Sequence, residues 1–428
     1  MIRHFDAAAY VGGRPPTLDE LDLALHTVAA EHPEICSLRE IGRSRAGRPM
    51  PMLTVPGGPL PVLVLGAPHP NEPIGLATVL ALARYVTGHA EAREQVTWHI
   101  VGCTDPDGVA ANESWWASTP WPPSLEAYHR GLYRPPAVAQ PEWTFPTPHF
   151  TATLPETRAL MGVIDTARPA LTVSLHNSDS AGAFLLASRA EPWLAEVMAD
   201  IAGSHGLSVE GAPMDCIGLQ PQGKGAFVLP AVTPPPQATG GEEGTWGHTG
   251  ASSAHYTARH GGLGILPEVP MWGTAPIDLP SEKAVGILTD AHDALGRLID
   301  RLPQPQDIFF LNAAIETRSI LPRMAQLIRE NPEAGSGQDL ALLIPCRAAG
   351  MLLRHIDQCL VATPHSLRLH EARDGVDSFL RAWCLRAEQA LRPRPLPLSR
   401  TAGYQLEMTL AVAEQLAAAP SSTSGTDT

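Results

Sequence analysis

The sequence predicts an α/β protein: a mixed, largely parallel sheet flanked by helices, with an added all-α domain at its C-terminal end. Three observations carry this expectation. Short continuous apolar runs bounded by turn residues alternate with helix-like segments through the first part of the chain. Hydrophobic residues make up 44% of the 428, enough to fill a large core. From Ile308 onward the strand-like runs stop and helical periodicity alone continues. The expected boundaries are a domain over 1–300, a helical domain over 307–418 and a disordered tail over 419–428.

The elements follow in order. Thr17 and Glu20 have capping-box spacing, and Leu21, Leu23, Leu25, Val28 and Ala29 recur at helical intervals, which predicts an N-terminal amphipathic helix. "MPMLTV", "PVLVLGA", "VTWHIVGC", "ALTVSLH", "GAFLLAS" and "LGILPEV" read as strands, several too continuously apolar to face water on one side. "GLATVLALARYV", "ETRALMGVIDTA" and "WLAEVMADIAGSHG" read as the helices between them. Residues 208–250, rich in Gly and Pro, read as a long loop. "FFLNAAIETRSILPRMAQLIREN", "LALLIPCRAAGMLLRHIDQCLV", "EARDGVDSFLRAWCLRAEQAL" and "YQLEMTLAVAEQLAAA" form the helical end, a surface available for self-association or for capping a cleft.

Composition excludes several classes. With 44 acidic against 30 basic residues and a net charge of -14, the chain lacks the basic footprint that nucleic acid or an anionic membrane requires. The six cysteines show no C-x-x-C, so neither a cysteine zinc cluster nor a dense disulfide framework is signalled. The first residues lack an apolar signal-peptide core, and no run is long enough to span a bilayer; the expected location is the cytoplasm.

Candidate chemistry sits where strands end. In His69-Pro-Asn-Glu72 an imidazole and a carboxylate lie three residues apart beyond the run Pro61–Leu65, a suitable pair for zinc. Catalytic zinc needs a third protein ligand, and His176 closes the run "ALTVSLH". A general base that is not a ligand is offered by Glu268, in the run "LGILPEV".

These segments together resemble the zinc carboxypeptidases of the funnelin (M14) type, over roughly residues 10–295. Ile41-Gly42-Arg43-Ser44 and Gly47-Arg48-Pro49 resemble the family's opening strands, "HPNE" its zinc pair and "DPDG" at 105–108 its Asn-Pro-Asp-Gly turn. "PETRALMGVIDTARPALTVSLH" and "GASSAHYTARHGGLGILPEV" resemble the segments leading to the third ligand and the catalytic glutamate. The resemblance implies His69, Glu72 and His176 as Zn2+ ligands and Glu268 as general base and acid. For substrate recognition it implies Arg134 at a terminal carboxylate, with Tyr133 where the family has asparagine and Gly131 where it has an acid supporting a zinc histidine. Trp116 stands in place of the transition-state arginine, so it and Trp115 would line the cleft, leaving oxyanion stabilisation to the metal and Arg130 or Arg134. Trp246 and His248 lie nearest the family's mobile tyrosine. His255 falls in its specificity pocket, which implies an acidic or polar substrate side chain.

The expected function is a zinc-dependent amide hydrolase that releases a C-terminal residue from a peptide or peptide-like small molecule with a free carboxylate, intracellular and biosynthetic. An N-acyl amino acid deacylase or amidase on the same metal site is one alternative, and a catalytically silent binding protein is another.

Overall fold

The computed structural model describes residues 9–117, 120–216, 219–232, 249–274, 277–303, 308–332 and 337–418. Trp246, His248 and the tail 419–428 lie outside them.

The capping box forms as expected at the start of α1 (Leu18–Glu31): Thr17 Oγ1 accepts the Glu20 N–H at 3.3 Å, and Glu20 Oε2 accepts the Thr17 N–H at 2.9 Å. Next come β1 (Ser37–Arg43), β2 (Pro49–Val55), β3 (Leu60–Leu65), α2 (Ile74–Gly88) and β4 (Val96–Val101). The DPDG turn opens α3 (Pro106–Asn112), with Asp105 as the N-cap that accepts the Gly108 N–H at 3.1 Å and Pro106 at the first helical position. Then follow α4 (Ser114–Ala117), α5 (Leu125–Gly131), α6 (Pro155–Ala167), β5 (Leu171–Ser174), β6 (His176–Ser178), β7 (Phe184–Ala187) and α7 (Trp193–Ser204). The stretch read as a long loop contains an edge hairpin, β8 (Gln220–Gly223) and β9 (Ala226–Val228). Its Gly-rich turn hid the strands, and only Ala226, Phe227 and Val228 form an apolar run there. The chain continues through α8 (Ser253–Ala258), β10 (Leu263–Pro270), β11 (Trp272–Gly273), α9 (Ser281–Ile299), α10 (Phe309–Glu330), α11 (Gly337–Ala362), α12 (Leu367–Leu391), β12 (Arg394–Pro395) and α13 (Leu398–Ala418).

The sheet runs β1-β2-β4-β3-β5-β10-β7-β9-β8, with β6 pairing β10. β3 is parallel to β4 and β5, β10 to β5 and β6, and β7 to β9; the remaining pairs are antiparallel. Every residue of β5 and β7 is buried; β7 is apolar throughout, whereas β5 also buries Thr172 and Ser174. Among the described residues no helix is long and apolar enough to cross a membrane.

The C-terminal helices share a continuous hydrophobic core with the sheet region. Helix α11 packs between α10 and α12, all three pack on α9, and α11 and α12 also lie against α5. Helix α13 packs on α2, α7 and β10 instead. It buries Leu398, Ala402, Tyr404, Leu406, Met408 and Val412, and Gln405 Oε1 accepts the Thr78 hydroxyl at 2.8 Å. Strand β12 returns to β11, pairing Arg394 with Gly273 and Pro395 with Trp272.

Candidate active site

The site lies at the carboxyl ends of β3, β5 and β10, where open α/β sheets place their ligands. After Leu65 the chain must turn sharply. Gly66 allows this because a Cβ there would sit 2.3 Å from the Gly102 carbonyl oxygen, and Ala67 takes a left-handed φ of 44°. Thr104 ties the turn down, its N–H donating to Gly66 O at 2.9 Å and its hydroxyl to Ala67 O at 2.8 Å. The Glu72 N–H then donates back to His69 O at 3.1 Å, folding the His-x-x-Glu pair into one turn at the head of α2.

His176 begins β6, whose parallel register with β10 sets it opposite Glu268. Its neighbour Asn177 donates its N–H to Glu72 Oε2 at 3.2 Å and accepts the Ile74 N–H on Oδ1 at 3.2 Å, linking the third candidate ligand to the start of α2. From α13, Gln405 Nε2 donates to the His176 carbonyl at 2.6 Å. One ligand atom each from His69, Glu72 and His176 lies within 4.8 Å of the others, and all three residues are buried. Glu268 Oε1 lies 3.7 Å from His176 Nδ1, and Glu72 Oε2 lies 3.1 Å from the same nitrogen.

Electrostatics suit a cation. Burial, with Arg134 nearby, holds the His69 pKa well below its ordinary value, so the ring is neutral, as a ligand must be. Burial opposes ionisation of Glu72, but the His176 hydrogen bond and charge and the nearby Arg134 hold its carboxyl far below the usual carboxylate range. Burial also opposes charge on His176, yet Glu72 and Glu268 raise its pKa. The two carboxylates thus favour positive charge at this position.

Trp143 approaches from the other side, its indole N–H donating to His69 Nε2 at 3.2 Å. An indole nitrogen donates and never accepts, so the His69 proton sits on Nδ1, which is buried without a hydrogen-bond partner. The donor set of two imidazoles and a carboxylate fits zinc. Binding through either ring nitrogen displaces the Trp143 N–H: at Nε2 the metal takes the lone pair, and at Nδ1 the proton must move to Nε2. Trp143→Phe is therefore expected to tighten zinc binding by up to about tenfold, since a hydrogen bond present only without metal is worth roughly 0.5–1.5 kcal/mol. Competition with a chromophoric chelator measures this, and an unchanged or weaker affinity would refute the tautomer assignment.

Around the triad lies a polar network. Arg134 Nη1 donates to Glu72 Oε1 at 2.7 Å and Asn71 Oδ1 at 3.0 Å. Tyr128 OH donates to Asp179 Oδ1 at 2.7 Å and accepts from Asn71 Nδ2 at 3.3 Å, while Arg347 of α11 donates to Asp179 Oδ2 at 2.9 Å. Ser174 Oγ lies 3.2 Å from His176 Nε2, and buried Glu142 accepts from the Ser253 N–H at 3.3 Å and hydroxyl at 2.8 Å. Burial raises the Glu142 pKa against the opposing charge of His176, so this acid stands near a candidate ligand although Gly131 does not supply one.

Four expectations for substrate contact meet a different geometry. Tyr133 is buried, stacked on Phe309 with ring centroids 4.3 Å apart, and its backbone is clamped by Asn112. Trp116 is fully buried edge-on to Trp115, and its indole points to Pro16 O at 3.4 Å, so neither tryptophan lines the cleft. His255 closes a capping box with Ser252 at the start of α8, and its Nε2 lies 2.9 Å from Pro230 O. Arg130 pairs with Glu126 and Asp377, leaving Arg134 as the arginine at the triad. Sequence reading missed Asn71, Tyr128, Glu142, Asp179, Arg347 and Gln405. Arg347 and Gln405 carried a signal, as polar side chains inside apolar helical stretches.

A family model described as "Zinc carboxypeptidase" matches residues 22–188. No curated protein matches the sequence. Among solved structures the chain is similar to a metallo-carboxypeptidase from Burkholderia cenocepacia, at 18% identity over 60% of this chain and 60% of that one, with a TM-score of 0.38. It is also similar to carboxypeptidase A from Helicoverpa armigera, at 15% identity over 78% of this chain and 74% of that one, with a TM-score of 0.39. The chain therefore spans 60% of the length of the Burkholderia protein. Likeness at these identities and scores assigns no activity by itself.

Proposed function

We propose, on the premise that the chain belongs to the zinc carboxypeptidase family through residues 22–188, that it is a zinc-dependent amide hydrolase releasing the C-terminal residue of a peptide or peptide-like small molecule. The observation that carries this reading is the convergence of His69, Glu72 and His176, with Glu268 in register beside His176. Zinc held by the three supplies a water of lowered pKa and polarises the scissile carbonyl. Glu268, 14% exposed, is the base that takes a proton from the attacking water and passes it to the leaving nitrogen. Arg134 donates to a candidate ligand, and this proximity supports a role for its guanidinium in stabilising charge that develops on the carbonyl oxygen. Among the described residues none of the six cysteines is in a disulfide, which supports a reducing, cytoplasmic setting.

One observation favours the second reading, an N-acyl amino acid deacylase or amidase. Arg134 sits on Glu72, and Tyr133 is in the core, so the pair implied for a terminal carboxylate is not assembled as such. The test compares zinc-loaded protein on acyl-dipeptides with free and amidated C-termini and on N-acyl amino acids. Cleavage of the free form alone supports the carboxypeptidase, and preference for the acyl amino acid supports the deacylase. Zinc binding with hydrolysis of none of them would leave a binding protein and overturn both.

A further inference from the structure

A second cluster of metal-ligating side chains lies outside the catalytic triad. His129 on α5, Cys346 on α11 and Cys384 on α12 are all buried and bring one ligand atom each within 4.8 Å of the others. Cys346 and Cys384 are 38 positions apart on different helices, so no cysteine spacing announces them. We propose that these three side chains form a structural site for a soft divalent cation of the zinc class, pinning the catalytic cleft to the C-terminal helices.

The imidazole is already set for ligation. His129 Nδ1 lies 2.8 Å from the Leu125 carbonyl oxygen, and a carbonyl only accepts, so Nδ1 carries the proton. That leaves the Nε2 lone pair exposed to the thiols, and Nε2 is buried with no hydrogen-bond partner. Donation of the non-ligating ring N–H to a backbone carbonyl is the usual support of a metal-bound histidine. Two thiolates and a neutral imidazole balance the charge of a divalent cation and fill three of its four tetrahedral positions. Both thiol protons leave on binding, and no electron transfer is involved.

The surrounding packing fits a fixed joint. A Cβ on Gly350 of α11 would fall 1.8 Å from the His129 carbonyl oxygen, so only glycine lets α11 approach α5 this closely. The residue before His129 is Tyr128, whose hydroxyl holds Asp179 and Asn71 beside the triad. The metal therefore fixes α5 between the helical region and the catalytic residues.

Cobalt(II) distinguishes this site from the catalytic one, because only the second site contains sulfur. Full-length wild-type protein and His69→Ala are freed of metal under reducing conditions and titrated with cobalt(II). Both are expected to develop thiolate-to-cobalt charge-transfer absorption, and metal analysis is expected to show one cation fewer per chain in His69→Ala. Cys346→Ser and Cys384→Ser are expected to lose the absorption. Should these variants fail to fold, the wild-type spectrum decides alone: no charge-transfer band overturns the proposal. So does the loss of two of the six thiols in protein denatured without reductant, which would mean that the pair is a disulfide. Failure of the catalytic reading leaves the sulfur signature in His69→Ala unaffected.

Discussion

Replacing Glu268 with glutamine is expected to lower kcat by roughly 10²–10⁴-fold, the usual contribution of a positioned general base, while zinc content stays at the wild-type level. Glutamine keeps the size and the hydrogen-bonding reach of the side chain but cannot accept the proton of an attacking water. Glu268 Oε1 lies 3.7 Å from His176 Nδ1, whereas Glu72 lies closer at 3.1 Å, so the metal should lose no ligand. Elemental analysis beside the kinetics separates the outcomes. Lost zinc would make Glu268 a ligand, and wild-type turnover would remove it from the chemistry.

What the chain discloses in one dimension depends on how local the determinant is. The capping box of Thr17 and Glu20 involves groups three residues apart and forms as expected. The convergence of His69, Glu72, His176 and Glu268 was legible because each polar group closes or interrupts a buried, largely apolar run, and a buried sheet places such positions together at its carboxyl edge. Side-chain direction was not legible. Tyr133, Trp116 and His255 stand at plausible distances along the sequence, yet Tyr133 and Trp116 point into packed aromatic clusters and His255 closes a helix cap. The helical region shows a further limit. Periodicity reveals that α13 has a buried face but not that α2, α7 and β10 cover it. Gln405, Arg347 and the His129–Cys346–Cys384 cluster arise from such long-range contacts and leave only a trace, a polar residue in an apolar helix.

Arg347 provides the sharpest test of that long-range coupling. Its guanidinium pairs with Asp179 at 2.9 Å, the two side chains being 16% and 2% exposed. Burial works against the Arg347 charge, and Asp179 more than restores it. Arg347→Met should destabilise the fold by about 3–5 kcal/mol, because the Asp179 carboxylate would be left buried with only the Tyr128 hydroxyl donating to it. Asp179→Asn in the same chain should recover most of this loss, since no unpaired charge then remains. Metal affinity should move the other way. The Arg347 charge is felt at His69, lowering its pKa, and the same field disfavours a cation at the triad. The single variant should therefore bind zinc more tightly while unfolding at lower urea. Additive losses in the double-mutant cycle would show that the pair is not coupled. Unchanged zinc affinity would show that the arginine's field is screened before it reaches the catalytic cleft.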